Sequence, residues 1–424
     1  MPAADPGAAV YTRRRLVLLS CGVLVVAGSV GYWWWSIESE MENARQAIER
    51  GDWKPARAHL TRYLDWHPQD PAAHLLMAEA LVKDDSRTSD DFVQQAIEHL
   101  HQIGDDAPLS ARARLQEARL ALLILREPAR AEHLLRRSLK LNPDSYEANF
   151  LMWKVLDLTG RHINSREYFW RVYELSPETE RASRLRDWFF AEFYSETANE
   201  PFTRALGAEK IGKIPASVNL LVRFRESEPA ASFVHAALAA YYLESGKPKS
   251  SLELLKEAPD LAHAMQDPFF VAALFEALVD LGEFQKAKRC FEQFPRPHSG
   301  YLFWRCEGIY RQHVLNDAAA AVEPYTHAST CWPAKFDWNL MMRLSECLRK
   351  VGRNNEAERV QSRVKHLTTK VLTRERTSQL RNRVGNLNNP FLAQEICSLY
   401  REFGLTREAD AWEEHRQSLL RYSP

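Results

Sequence analysis

Glycine is scarce in this chain, with 16 among 424 residues, and methionine and cysteine are scarcer still, at 7 and 6. So little glycine excludes collagen-like and glycine-linker architectures. So few cysteines exclude a small scaffold built on disulfides. Alternating β-branched runs are also rare, whereas stretches rich in Ala, Leu, Glu and Arg are long, which favours an all-α chain. Neither charge sign prevails: 56 Lys and Arg balance 56 Asp and Glu. Without a basic excess, a dedicated nucleic-acid binder is not expected. Hydrophobic residues at 45% and charged residues at 26% exclude a wholly disordered chain.

Motifs that carry chemistry are missing too. There is no C-x-x-C, no H-E-x-x-H, no phosphate-binding glycine loop and no G-x-S-x-G elbow. No enzymatic activity, metal site or cofactor is therefore expected. His99 and His101 are two positions apart, so on a helix they point to different faces. Beyond Cys21 there are Cys290, Cys306, Cys331, Cys347 and Cys397, an odd number that cannot pair completely within the chain. Cys290 and Cys306 fall on consecutive expected helices. A disulfide between them and buried free thiols both fit.

A single long apolar run is present, from Leu16 to Trp35, interrupted only by Ser20 and Ser29. As a helix it spans roughly 30 Å, enough to cross a bilayer. Arg13, Arg14 and Arg15 precede it, and Glu38, Glu40 and Glu42 come after it. Basic flanks stay in the cytoplasm. The expectation is a single-pass anchor with residues 1–15 inside, 16–35 in the cytoplasmic membrane and the remainder on the far, periplasm-like side. The small residues Ala27, Gly28 and Ser29 leave a cleaved signal peptide open, and the arginines leave a twin-arginine export signal open.

Beyond the apolar run, a period of helical-hairpin length fills most of the chain. Leu139-Lys140-Leu141-Asn142-Pro143 and Tyr173-Glu174-Leu175-Ser176-Pro177 place their prolines 34 residues apart. Upstream, Ala44, Ala47, Gly51, Trp53, Ala56, Leu60, Leu64 and Pro68 make one unit, and Ala78 and Leu81 start another. Ala118, Ala131 and Leu135 precede Pro143; Trp153, Leu156, Gly160 and Phe169 precede Pro177. Arg181 to Tyr194 reads as the first helix of a degenerate unit, 195–213 as an insertion, and Ala216 to Glu228 as the second helix. The pattern resumes at Ala239, Tyr242 and Gly246, then at Phe275, Leu278, Gly282 and Ala287. Looser units surround Gly308 and Ala320, Gly352 and Ala357, and Gly404 and Ala409.

Small residues where two helices cross, a glycine at the turn and a proline behind the second helix are how this chain resembles the tetratricopeptide repeat family. The resemblance implies an all-α, right-handed superhelical solenoid behind the membrane helix. It divides into a first sub-array over 36–177, a degenerate unit over 178–229 and a second sub-array over 230–424.

In that family the first helix of each unit lines a concave groove. Carried over, the groove comprises Arg45, Leu75, Glu79, Leu115, Arg119, Phe150 and Lys154, a mixed polar and apolar lining suited to a protein segment or extended peptide. A second candidate surface is the basic run Arg349, Lys350, Arg353, Arg359, Arg363, Lys365, Lys370, Arg374 and Arg376, either a solvated face or a patch for an anionic partner. The leading expectation is a membrane-anchored scaffold for protein–protein interactions in bacterial envelope complex assembly or folding. An accessory or sensor subunit of a carbohydrate-processing or export system, and a self-associating structural protein, are the alternatives. The partner and the oligomeric state stay open.

Overall fold

A computed structural model describes residues 34–83, 90–212, 214–331 and 337–421 of the protein. Among them the backbone is helical nearly throughout, with one isolated bridge between Ile211 and Ile214. The expected membrane segment lies outside the described residues except for Trp34 and Trp35, which are helical and exposed. No helix among the described residues is long and apolar enough to cross a membrane. The chain divides into two compact units, residues 1–117 and 118–424.

In the first unit, α1 (34–49) and α2 (Trp53–Leu64) form a hairpin, and α3 (Pro71–Val82) and α4 (Asp90–His101) form the next. Asp70 starts α3: its carboxylate accepts from the Ala72 and Ala73 amides, and Pro71 occupies the first helical position. Ala44, Ala47, Ala56 and Ala80 are fully buried, so the helices approach closely where the sequence placed small residues. Glu40 ties α1 to α2, lying 2.5 Å from His59 and accepting from Arg62 at 2.8 Å. On α5 (Ser110–Leu120), the buried Arg114 donates to Asp105, Glu117 and the Ile103 carbonyl.

In the second unit, α5 runs into a π-helical turn (Ala121–Leu125) and then α6 (Pro128–Leu141). Next come the hairpin of α7 (Tyr146–Leu158) and α8 (His162–Leu175), then α9 (Glu178–Phe193), α10 (Ser195–Ala205) and α11 (Ala216–Ser227). The hairpin of α12 (Ser232–Glu244) and α13 (Pro248–Lys256) is followed by the short α14 (Leu261–Ala264). Then α15 (Pro268–Asp280) pairs with α16 (Phe284–Glu292), and α17 (Gly300–Ile309) with α18 (Ala318–Thr330) after a second π turn (Tyr310–Val314). The last elements are α19 (Trp338–Lys350), α20 (Asn354–His366) with a π turn behind it, α21 (Arg374–Arg383), α22 (Pro390–Phe403) and α23 (Thr406–Arg421).

At the hairpin turns Gly51, Gly160, Gly246, Gly282, Gly352 and Gly404 take φ between 69° and 78°, the left-handed conformation that ends a helix without steric cost. Arg126 and Asn316 take the same conformation in two units whose turns hold no glycine.

The segment 195–213, expected as an insertion, is helical in its first part and non-helical over 206–212. Residues 195–205 form α10, whose Thr203 is buried and whose Phe202 packs on Phe150. Tertiary burial outweighs the helix-breaking signal of Pro201. Behind α10, Glu228 at the end of α11 accepts from the Ala129 and Arg130 amides and so caps α6 from a distant part of the chain.

The second unit also closes on itself. Hairpin α22–α23 packs against α8 and α9 in one aromatic core that includes Trp153, Phe169, Trp188, Phe189, Tyr400, Phe403 and Trp412. Phe169 stacks on Trp188 with ring centres 4.4 Å apart. Across this seam Arg166 makes two 2.9 Å hydrogen bonds to the fully buried Glu408. Arg407 lies 4.1 Å over the Trp170 ring and bonds Glu174, while the Tyr194 hydroxyl donates to the Thr377 carbonyl.

Candidate functional site

The expected groove residues occupy dissimilar environments. Arg45 is exposed on α1. Leu75 and Leu115 are buried in the hairpin cores, and Glu79 is paired with Lys83 at 2.7 Å. Arg119 is exposed, 4.0 Å from Glu147. Phe150 is half-buried. Lys154 is buried, its Nζ 3.7 Å from the centre of the Trp153 ring with Phe150 and Phe202 close by. Burial holds the Lys154 ammonium below the ordinary lysine value. Around Phe150 and Lys154 the first-helix face is thus covered by Phe202 of α10.

Where α12, α15, α17 and α19 present the same face, it is open. A cavity of about 520 Å³ is lined there by Arg161, His162, Asn164, Glu244, Phe269, Tyr301, Leu302, Arg305, Asp337, Trp338 and Asn339, among others. A smaller recess of about 190 Å³ shares Glu244, Phe269, Leu302, Arg305 and Asn339 and adds Leu243, Glu276, Asp280 and Arg343. A third, lined by Asn339, Met342, Arg343, Glu346, Arg349 and Gln361, carries the surface on along α19. The α7–α8 turn forms one wall of the cup and the start of α19 another.

The floor is a half-buried ion cluster. Arg305 donates to Glu276 and, at 2.9 Å, to Asp337. Asp337 also accepts from the Tyr301 hydroxyl at 2.5 Å and from the Leu340 amide at 2.9 Å, so one carboxylate starts α19 and anchors α17. Burial raises the Glu276 carboxyl above its ordinary range against the pull of Arg305. Burial opposes the charge of Arg305, yet Glu276 and Asp337 hold its proton more firmly than usual. At the wall, Arg161 is committed to Glu132 at 2.7 Å and lies 3.8 Å over the Phe233 ring. His162 lies 2.6 Å from Asp157, whose charge overcomes burial and raises the imidazole pKa.

The cup was legible from the turn glycines. Arg45 and Lys154 stand six positions ahead of Gly51 and Gly160. The same step back from Gly246, Gly282 and Gly352 falls on Ala240, Glu276 and Glu346, all of them lining residues. Carrying the family positions through the first four units alone missed them.

The basic run is compensated in part. Lys350 pairs with Glu346 at 2.8 Å, Arg353 makes two bonds to Glu356, Arg363 donates to the Glu402 carbonyl and Arg376 lies 3.8 Å from Glu395. Arg349 lines the third recess. Arg359, Lys365 and Lys370 are exposed, and the side chain of Arg374 lies outside the described ones. The five cysteines beyond the apolar run are free thiols, with Cys290 and Cys306 both buried. His99 meets not His101 but His74, with Nδ1 atoms 2.9 Å apart.

No family model matches the chain, and no curated protein matches it. Among solved structures it is similar to the APC/C hetero-tetramer Cut9–Hcn1, at 11% identity over 91% of this chain and 94% of that one, with a TM-score of 0.35. It is also similar to the human IFIT1 dimer with m7Gppp-AAAA, at 13% identity, 89% and 80% coverage and a TM-score of 0.30. A tetratricopeptide repeat protein from Parabacteroides merdae is similar at 13% identity, 74% and 99% coverage and a TM-score of 0.28. Likenesses at these scores lend no argument about function; the tetratricopeptide-like hairpin architecture stands on the helices and turns described above.

Proposed function

We propose that the protein is a binding scaffold, not an enzyme, and that it holds a segment of a protein partner in the cup of its second unit. The observation that carries this reading is the cavity of about 520 Å³, walled by aromatic, aliphatic and charged side chains of separate helices. Its volume is that of a ligand site, and its mixed lining suits an extended peptide. The apolar run 16–35 and its arginine flank support tethering to a membrane with both units on the far side. There the scaffold would assist assembly or folding of an envelope complex.

Crosslinking and pull-down of the full chain from cells tests the binding reading. Leu302→Arg, which fills the cup with a charged stem, is expected to remove the partner recovered by the wild type. Unchanged recovery would overturn the assignment to the cup. Arg45→Glu in the same assay tests the exposed first-helix position of the first unit, and loss there would place the contact on that unit.

A further inference from the structure

The charges of the cup are not evenly satisfied. Three of its cations are matched by carboxylates, Arg161 by Glu132, His162 by Asp157, and Arg305 by Glu276 and Asp337, while Arg343 donates to the His313 ring at 2.7 Å. Two carboxylates are not committed. Glu244 and Asp280 are exposed, line the same recess and make no hydrogen bond or ion pair among the described residues. Of the neighbouring bases, His162 feels Glu244 but is already matched by Asp157, and burial together with Arg343 lowers the His313 pKa against the pull of Asp280, which leaves Arg343 as the cation of the recess set against two carboxylates.

Both acids also stand where they are least welcome. Glu244 is the last residue of α12 and Asp280 the last of α15. A helix carboxyl end carries partial negative charge, so an acid there is repelled by its own backbone. Two such acids on adjacent first helices break the local rule without a hydrogen-bonded or ion-paired partner among the described residues. Such breaches mark functional positions. Leu243, Phe269 and Leu302 line the recess with them, and Glu244, Phe269, Leu302 and Trp338 line the main cavity. Apolar side chains beside two exposed carboxylates are complementary to a long aliphatic stem tipped by a cation.

We propose that the cup recognises a lysine or arginine side chain of the bound peptide, received by Glu244 and Asp280. This rests on the peptide-binding reading above. The test is selection of a displayed random peptide library on the full-length chain. Enriched peptides should carry Lys or Arg next to apolar residues. A synthetic peptide of that kind should lose about tenfold in affinity to the Glu244→Gln, Asp280→Asn double variant. Replacing its basic residue by Gln should cost the same on the wild type and nothing further on the double variant. Circular dichroism melts of the double variant check that it folds as the wild type does.

Peptides that bind, are blocked by Leu302→Arg and show no basic preference would overturn this inference and leave the scaffold reading standing. Failure to enrich any peptide sensitive to Leu302→Arg would overturn both. Competition by a single-stranded RNA that displaces the peptide would also overturn it, since a polyanion does not seat on exposed carboxylates.

Discussion

At the residue scale, Gly308 shows how a position can be noticed for the wrong reason. In the sequence it stands as the marker of a loose repeat. In the fold it lies inside α17, where an added methyl would overlap the Tyr325 ring. Tyr325 is fully buried and donates to Gln312 at 2.6 Å, so the ring has nowhere to move. Gly308→Ala is expected to destabilise the protein by about 1–3 kcal/mol, read from the midpoint of urea unfolding. An unchanged midpoint would show that α17 and α18 can part at no cost.

The actual turn residue of that unit, Asn316, carries the left-handed φ that asparagine tolerates. His74 and His99 make a second residue-scale case. His74 Nε2 lies 2.9 Å from the Pro68 carbonyl, so that nitrogen carries a proton and its Nδ1 faces His99 as an acceptor. Burial first, and His74 second, lower the His99 pKa below its ordinary 6.5. A base whose folded pKa is lowered contributes stability above its unfolded pKa and loses it as pH falls through the folded one. Wild type should therefore lose more stability than His99→Gln when unfolding midpoints at pH 7 and pH 5 are compared. Parallel losses would remove His99 from the account.

Among the elements, the hairpins were legible because alanines at helix crossings and glycines at turns are direct readouts of close approach and positive φ. The π turns were not. In α15 the lining residues Phe269, Ala272 and Glu276 stand 13, 10 and 6 positions ahead of Gly282. In α17 the lining residues Leu302, Arg305 and Ile309 stand 14, 11 and 7 ahead of Asn316. The π turn at Tyr310–Val314 inserts one residue and shifts the count by one. The turn at Ala121–Leu125 places Arg119 seven ahead of Arg126 in the same way. Periodicity alone carries no signal for such an insertion.

Nor did it show that α22–α23 returns to α8–α9, because repeat patterns report nearest neighbours and this contact joins residues more than two hundred positions apart. Glu408→Ala leaves Arg166 half-buried without its carboxylate. A loss of about 3 kcal/mol is expected. Faster amide hydrogen exchange in α22 and α23 than in α12 and α15 would confirm that the loss is local to the seam; uniform acceleration would contradict it.

For the whole molecule, the composition and the period sufficed for an all-helical hairpin array, and the apolar run for a proposed anchor. Deleting residues 1–35 should release the protein from the membrane fraction into an alkaline carbonate wash, whereas the full chain stays in the pellet. Equal partition of both would refute tethering by that run.

The seam has one further consequence. An open stack of repeats melts as a zipper does, from whichever terminal unit is loosest, because that unit has a neighbour on one side only. From α8 to α23 the second unit has no such loose end: its outermost hairpin is stitched to its middle through Arg166 and Glu408, Arg407 and Trp170, and Tyr194 and Thr377. Unravelling must begin by tearing a stitch, and until it does every hairpin in the loop is held from both sides.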